Sequence, residues 1–278
     1  MHASILTRTV RIAASPLSSE FGEGSNTPSK ALNGLLGSNP WGISAVGEFE
    51  IEARGAPAAS GYIVDISVLD AAVRAAAGNR FRDASQTEAR TGHPTDVVAL
   101  VAAVAEQAAG ALPIAITALT YRPSPFRSIS IERPSAANNM NQSHRAVISE
   151  TFEFAAAHRL NLPELSAEEN RRLFGKCNNP NGHGHNYRIE VAVAVDAGSP
   201  PRFGFPALQS LVEREIMARF DHKHLNLDCP EFANLNPSVE HIARVCHGLL
   251  DSPIRQGGGE LRFVRVWETD KTSCRYPG

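Results

Sequence analysis

Between Gly175 and Val191 the chain reads GKCNNPNGHGHNYRIEV, which sets one thiol and two imidazoles where a tight turn runs into a strand. From Arg188 the apolar residues alternate, at Ile189, Val191, Val193 and Val195, the period of a strand with one buried face. A strand that begins near His183 carries His183 and His185 on one face, about 7 Å apart along the backbone, a spacing that suits two imidazoles on one metal ion. Zinc takes about four ligands in a tetrahedron, and catalytic zinc draws three from protein and keeps the fourth position open. The best third ligand is His158, at the end of the apparent strand 151–157, TFEFAAA, whose Phe152 and Phe154 mark a buried face. The pattern predicts Zn2+ on His158, His183 and His185. Three neutral histidines with no further thiolate read as a catalytic centre; a closed set with Cys177 as the fourth ligand is the structural alternative.

Other groups have chemistry of their own. Phe220 to Asn226 reads FDHKHLN, and an Asp beside a His, here Asp221 and His222, fixes the tautomer and basicity of an imidazole as acid–base chemistry requires. The same run also reads as an exposed polar loop. Glu268 closes the strand-like VRVWE and is either a solvated strand end or a carboxylate that accepts paired N–H donors from a heterocycle. Cys177 is either a small apolar residue or, in a Gly- and Asn-rich turn near a divalent cation, a thiolate that serves as base or nucleophile. Cys229, Cys246 and Cys274 read as packing or surface residues, as do His241 and His247, which lie six apart on a helix and so on different faces. Gly257 to Gly259 follows no strand and opens no helix, so it reads as a turn and not a phosphate loop.

The elements that must position these groups occur twice. Residues 5–14 and 43–53 read as strands, joined by a Gly/Ser/Asn/Pro-rich connection over 15–40, and 66–77 as a helix that Gly78 stops. A second helix is predicted over 95–109, then strands over 114–121 and 127–131. After a polar, aperiodic stretch at 132–146 the order returns: strands 147–157 and 185–195, helices near 207–219 and 238–250, and a strand at 261–269. Asn39-Pro40-Trp41-Gly42 aligns with Asn179-Pro180-Asn181-Gly182, a shift of 140 residues (179 − 39). That alignment sets His183 on Ile43, His185 on Ala45 and Cys177 on Gly37, and a shift of 142 sets His158 on Pro16 (158 − 16). The reading is a duplicated ββααβ-type unit: a degenerate copy at 1–131, a linker at 132–146 and an equipped copy at 147–278.

Composition bounds the rest. The 278 residues are 42% hydrophobic and 20% charged, enough for a real core. A net charge of −2 without a Lys/Arg run argues against nucleic acid or an anionic membrane as partner. No stretch of about 18 apolar residues occurs, and the first residues lack the apolar segment of a secretory signal, so a cytoplasmic location is expected. Four cysteines, all in the second half, form no disulfide framework.

Taken together, FEFAAAH, KCNNPNGHGHNY, FDHKHLN, NPSVEHIA and VWETD resemble the 6-pyruvoyl-tetrahydropterin synthase family over residues 147 to 276. The resemblance implies an α+β tunnelling fold (T-fold) of antiparallel sheets with helices on one face, closing into a barrel on oligomerisation. It implies zinc on His158, His183 and His185, Cys177 as the base, Asp221 and His222 as a second acid–base pair, and Glu268 with Ser238 and Thr269 at the pterin. The implied substrate is 7,8-dihydroneopterin triphosphate, and the implied assembly a homo-oligomer whose barrel uses both copies. Five residues, NNPNG, separate Cys177 from His183; this resembles the pyruvoyl synthases, whereas the 6-carboxy-tetrahydropterin synthases of queuosine synthesis typically show three. A zinc-containing pterin-binding module without turnover is the non-enzymatic alternative. Two positions depart from the family pattern: Gly204 stands where an Asp usually precedes the first helix, and Ser238 where Thr usually follows the proline.

Overall fold

The structure is a computed structural model that describes residues 3–14, 45–133, 145–197 and 203–278. The connection at 15–40, the Asn39–Gly42 match, Pro16, Gly37 and Ile43, and residues 134–144 of the stretch at 132–146 lie outside the described residues. The chain divides into two compact units, one built mainly of residues up to Val147 and the other mainly from Ile148 onward.

In the first unit, strands β1 (Ser4–Ala14), β2 (Ala45–Gly55), β3 (Ile116–Ser124) and β4 (Arg127–Glu132) pair in that order, each antiparallel to the next. Alternation fixes the register: Phe49, Ile51 and Ala53 are buried, while Glu48 and Glu50 face Arg11 and Arg122 on the other side at 2.6 and 3.2 Å. Two helices cover the apolar face, α1 (Ile66–Thr91) and α2 (Val97–Ala111), opened by Asp65 and Asp96, whose carboxylates accept the N–H groups of Ser67 and Ala99. The predicted stop at Gly78 is corrected: α1 runs 26 residues and ends at Gly92, which takes the left-handed conformation at φ 70°. A helical glycine costs about 1 kcal/mol relative to alanine. Here the next turn recovers it by seating Phe81 against Phe49 and Tyr121, at ring separations of 5.2 and 4.8 Å.

The second unit repeats the order of two strands, two long helices and two strands. Strands β5 (Arg145–His158), β6 (His183–Asp196), β8 (Glu260–Thr269) and β9 (Thr272–Tyr276) form its sheet in the order β5-β6-β8-β9. Helix α4 (Phe205–Val212) continues through a π turn at Glu213–Met217 into α5 (Ala218–Phe220), burying Leu208, Val212, Ile216 and Phe220. The second long helix, α7 (Val239–Gln256), buries Ile242, Ala243, Cys246, Leu250 and Ile254. The chain is thus an α+β protein with helices laid on antiparallel sheet, as expected for the T-fold. Four short pieces went unforeseen: α3 (Ala167–Phe174), β7 (Lys223–His224), α6 (Leu225–Asp228) and β9. Strand β7 pairs with β5 in parallel, Ala156 to Lys223 and Ala157 to His224, a departure from purely antiparallel pairing. Gly204 opens α4 with no side-chain bond to the first turn, whereas Asp65 supplies that bond in α1.

Candidate metal and acid–base site

The long strands of the second unit deliver the three histidines from opposite chain directions: β5 ends on His158 and β6 begins on His183. The connection at 159–182 enters β6 through Gly182. Its φ is 73°, and a Cβ there would stand 2.7 Å from His224 Nε2 and 3.0 Å from the His158 carbonyl. The ligand-capable atoms of His158, His183 and His185 all lie within 4.8 Å of one another, and ring centroids are 4.5 to 5.2 Å apart. His158 is fully buried, and its Nδ1 lies 2.8 Å from the carbonyl of Pro237. That bond places the proton on Nδ1 and leaves Nε2 with its lone pair toward the triad, 3.0 Å from His183 Nε2. Burial pushes His158 down to about 4, against the opposing pull of Pro237 and reinforced by the neighbouring imidazoles. His183 is also lowered, by burial first and then His185, with Glu268 acting the other way.

His158 and His183 are therefore neutral near pH 7, the state in which imidazole binds a metal. Buried His183 Nδ1 and His185 Nε2 have no hydrogen-bond partner. Leaving such groups bare costs about 1–3 kcal/mol each, and a cation on the triad removes that cost wherever it takes the bare nitrogen. Two nitrogens about 2.0–2.1 Å from one tetrahedral ion are about 3.4 Å apart, comparable to the His158–His183 spacing. The triad fits a divalent cation. Cys177 stands outside this cluster, which leaves the closed four-ligand alternative without support.

Glu268 leans over the triad from β8, its Oε1 3.5 Å from His158 Nε2 and 3.7 Å from His185 Nε2. Cys177 is half-buried in the 3-10 turn Gly175–Asn178. The Asn178 amide donates to the Leu160 carbonyl and to Asn161 Oδ1, and the Cys177 carbonyl accepts the Leu160 N–H at 2.9 Å, so the turn is tied to the segment just after His158.

Asp221 and His222 follow α5. One Asp221 oxygen accepts the Ala155 N–H at 2.9 Å and the other lies 2.9 Å from His222 Nδ1. The Ala155 bond first, and then His222, hold the Asp221 carboxyl below its usual range. His222 returns its own N–H to the Ala155 carbonyl and is left-handed at φ 57°, a costly conformation for a residue with a Cβ. Its side chain is 82% exposed, with the ring held by Asp221 and the other nitrogen outward. A cavity of about 670 Å³ lies beside it, lined by Ala155 to Ala157, Gly184, His185, His222 and Asp228 among others. His185 of the triad and His222 of the pair thus face a common space.

Ser238 opens α7 by accepting the His241 N–H at 3.5 Å, directly after the Pro237 that orients His158. Thr269 is exposed at the end of β8 and accepts the Lys271 N–H, so its hydroxyl serves the β8–β9 turn. Sequence reasoning missed the amides that fix the strand end. Asn226 accepts the Arg159 N–H and donates to the Arg159 carbonyl, at 2.8 and 3.0 Å. Its position in FDHKHLN was the available signal, but an asparagine in a polar loop has no distinctive period.

The fold and site define a class: an α+β protein with a three-histidine cluster able to hold a metal ion and an adjoining Asp–His pair. Residues 147–278 match the family model for 6-pyruvoyl tetrahydropterin synthase. The human 6-pyruvoyl tetrahydrobiopterin synthase is 40% identical over 136 residues, covering 48% of this chain and 92% of that protein. The Drosophila melanogaster enzyme of the same name is 36% identical over 142 residues, covering 50% and 83%. The solved 6-pyruvoyl tetrahydropterin synthase of Caenorhabditis elegans is 32% identical, covers 50% of this chain and 99% of its own, and gives a TM-score of 0.46. The chain belongs to the 6-pyruvoyl tetrahydropterin synthase family. No helix of the described residues is long and apolar enough to cross a membrane.

Proposed function

We propose that this protein is a zinc-dependent 6-pyruvoyl-tetrahydropterin synthase, a lyase that converts 7,8-dihydroneopterin triphosphate to 6-pyruvoyl-tetrahydropterin and inorganic triphosphate. The observation that carries the reading is the histidine triad set beside an oriented Asp–His pair, with His185 and His222 on one cavity. His158, His183 and His185 would hold the ion, whose Lewis acidity makes carbons next to the side-chain hydroxyls more acidic. The chain's own groups then move protons. Asp221 holds the His222 ring through Nδ1, which leaves Nε2 to exchange a proton with the pterin side chain. Cys177 is the base that takes a proton from the substrate side chain, and Glu268, with Ser238 and Thr269, accepts from the pterin ring.

The hydrogens lost by the side chain are regained by the ring while triphosphate leaves, so the rearrangement is an internal redox change and needs no nicotinamide or flavin. We further propose a cytoplasmic homo-oligomer whose barrel uses both units; the four free cysteines are consistent with a reducing compartment. The test is incubation of the zinc-loaded protein with 7,8-dihydroneopterin triphosphate and identification of the pterin by mass spectrometry. A 6-pyruvoyl product with released triphosphate is expected. A 6-carboxy product with acetaldehyde, or binding without conversion, overturns the assignment.

A further inference from the structure

Tyr187 carries a group that the chemistry above leaves idle. It follows His183 and His185 on the same face of β6, and its side chain is 0% exposed. Its ring stacks on Phe154 at 5.1 Å and meets two of the triad rings edge-on, His158 at 6.0 Å and His185 at 5.5 Å. The β6–β8 ladder opens with Arg188 opposite Trp267, and Tyr187 and Glu268 are the residues next to that pair on their strands. Yet the Tyr187 hydroxyl is buried and bonds to nothing in the protein. Buried hydroxyls are nearly always paired, and phenylalanine would fill the same stack without the penalty. An O–H kept in such a place awaits an acceptor that the protein does not supply.

We infer that Tyr187 is a further catalytic residue: a neutral phenol whose O–H donates a hydrogen bond to an oxygen of the pterin side chain held at the triad. The inference rests on the proposed synthase reading. A preorganised donor in a water-poor enclosure acts on oxygen as negative charge develops there, and it needs no reorganisation when the reaction occurs. Tyr187 gives up no proton, so the stoichiometry of the reaction is unchanged.

The test is Tyr187→Phe in the full chain, with metal content, thermal midpoint and steady-state kinetics measured alongside the parent. We expect metal content equal to the parent, a midpoint equal or higher because an unpartnered buried hydroxyl is gone, and kcat lower by about 10²–10³-fold with little change in KM. The rise in midpoint on adding a pterin analogue that bears a side-chain oxygen should shrink in the variant, a readout independent of turnover. A variant with kcat within twofold of the parent overturns the inference, as does a midpoint several degrees lower, which would mean that the hydroxyl has a structural partner. A parent that binds metal but leaves 7,8-dihydroneopterin triphosphate untouched overturns the synthase reading itself and this inference with it.

Discussion

Cys177 and Asp221 reach the site by different physics, and substitutions should separate them. Cys177 lies outside the group of convergent ligand atoms, in a turn tied down by backbone and Asn178 bonds that do not use its sulfur. Cys177→Ala should therefore keep bound zinc, measured by atomic absorption, while turnover falls by about 10²-fold or more as the proposed base is lost. Loss of zinc in this variant would make the thiol a ligand and sink the assigned role. Asp221 is an anchor as well as an orienter, since its carboxylate takes a backbone N–H of β5. Its folded-state pKa is depressed, so it adds stability that is present above the unfolded value of about 3.9 and disappears as pH falls through the folded value. Thermal unfolding of metal-free protein between about pH 2 and 6 should show a shallower acid limb for Asp221→Asn than for the parent. Superimposable limbs would show that the bonds to Ala155 and His222 contribute nothing to acid stability.

At the scale of elements, helix ends and one strip of backbone set the site. The segment 221–226 is stitched to 155–159 by the Asp221 and His222 bonds to Ala155, the short β7 ladder and the two-way Asn226 clamp on Arg159. His158 lies inside this strip, so the triad and the Asp221–His222 pair are held by one set of backbone bonds. Helix α7 adds the last constraint, because the Pro237 carbonyl that sets the His158 tautomer immediately precedes its Ser238 cap. The other helix is opened less well. Gly204 has extended backbone at φ −145°, and a Cβ there would meet only Pro206 Cδ at an ordinary 3.8 Å. Gly204→Asp should supply the missing cap and raise stability by roughly 0.5–1 kcal/mol, read as a higher denaturant midpoint at unchanged slope. A lower midpoint would mean that the α4 entry cannot accept the cap geometry seen at Asp65.

For the whole molecule, two units share one order of elements, but among the described residues only the second gathers three or more metal-capable side chains. Zinc titration of the full chain should therefore saturate at one ion per chain, and His158→Ala should bind none with high affinity. Two ions per chain would mean that the first unit has a centre of its own. The first unit instead presents a sheet face of paired charges, Arg11 with Glu48 and Arg122 with Glu50, over a fully apolar core. Such exposed pairs contribute little stability, so the unit is held by its core, with Phe49, Leu69, Leu119 and Ile131 at its centre.

How much of this was legible beforehand follows from which interactions are local. The two-apart histidines are a pattern that the chain carries in itself, and they share one face of β6 as expected; the single buried face expected over 189–195 is corrected, because Ala192 and Ala194 are buried along with Val191, Val193 and Val195. The Asp–His pair was legible as chemistry, since its members are sequence neighbours. Gly78 misled because its local preference for ending a helix is worth about 1 kcal/mol, less than the burial of Phe81 against residues 32 and 40 positions away (81 − 49 and 121 − 81). The carbonyl that fixes the His158 tautomer lies 79 residues on, the amide that clamps Arg159 lies 67 residues on, and both look like ordinary loop residues in the chain. The sequence by itself determined which atoms are available and which face of which strand bears them. Tertiary structure alone decided which nitrogen of His158 faces the triad, which carboxylate leans over the triad and which buried hydroxyl has no partner. Those outcomes depend on groups distant in sequence arriving within hydrogen-bond range, and no local pattern encodes them.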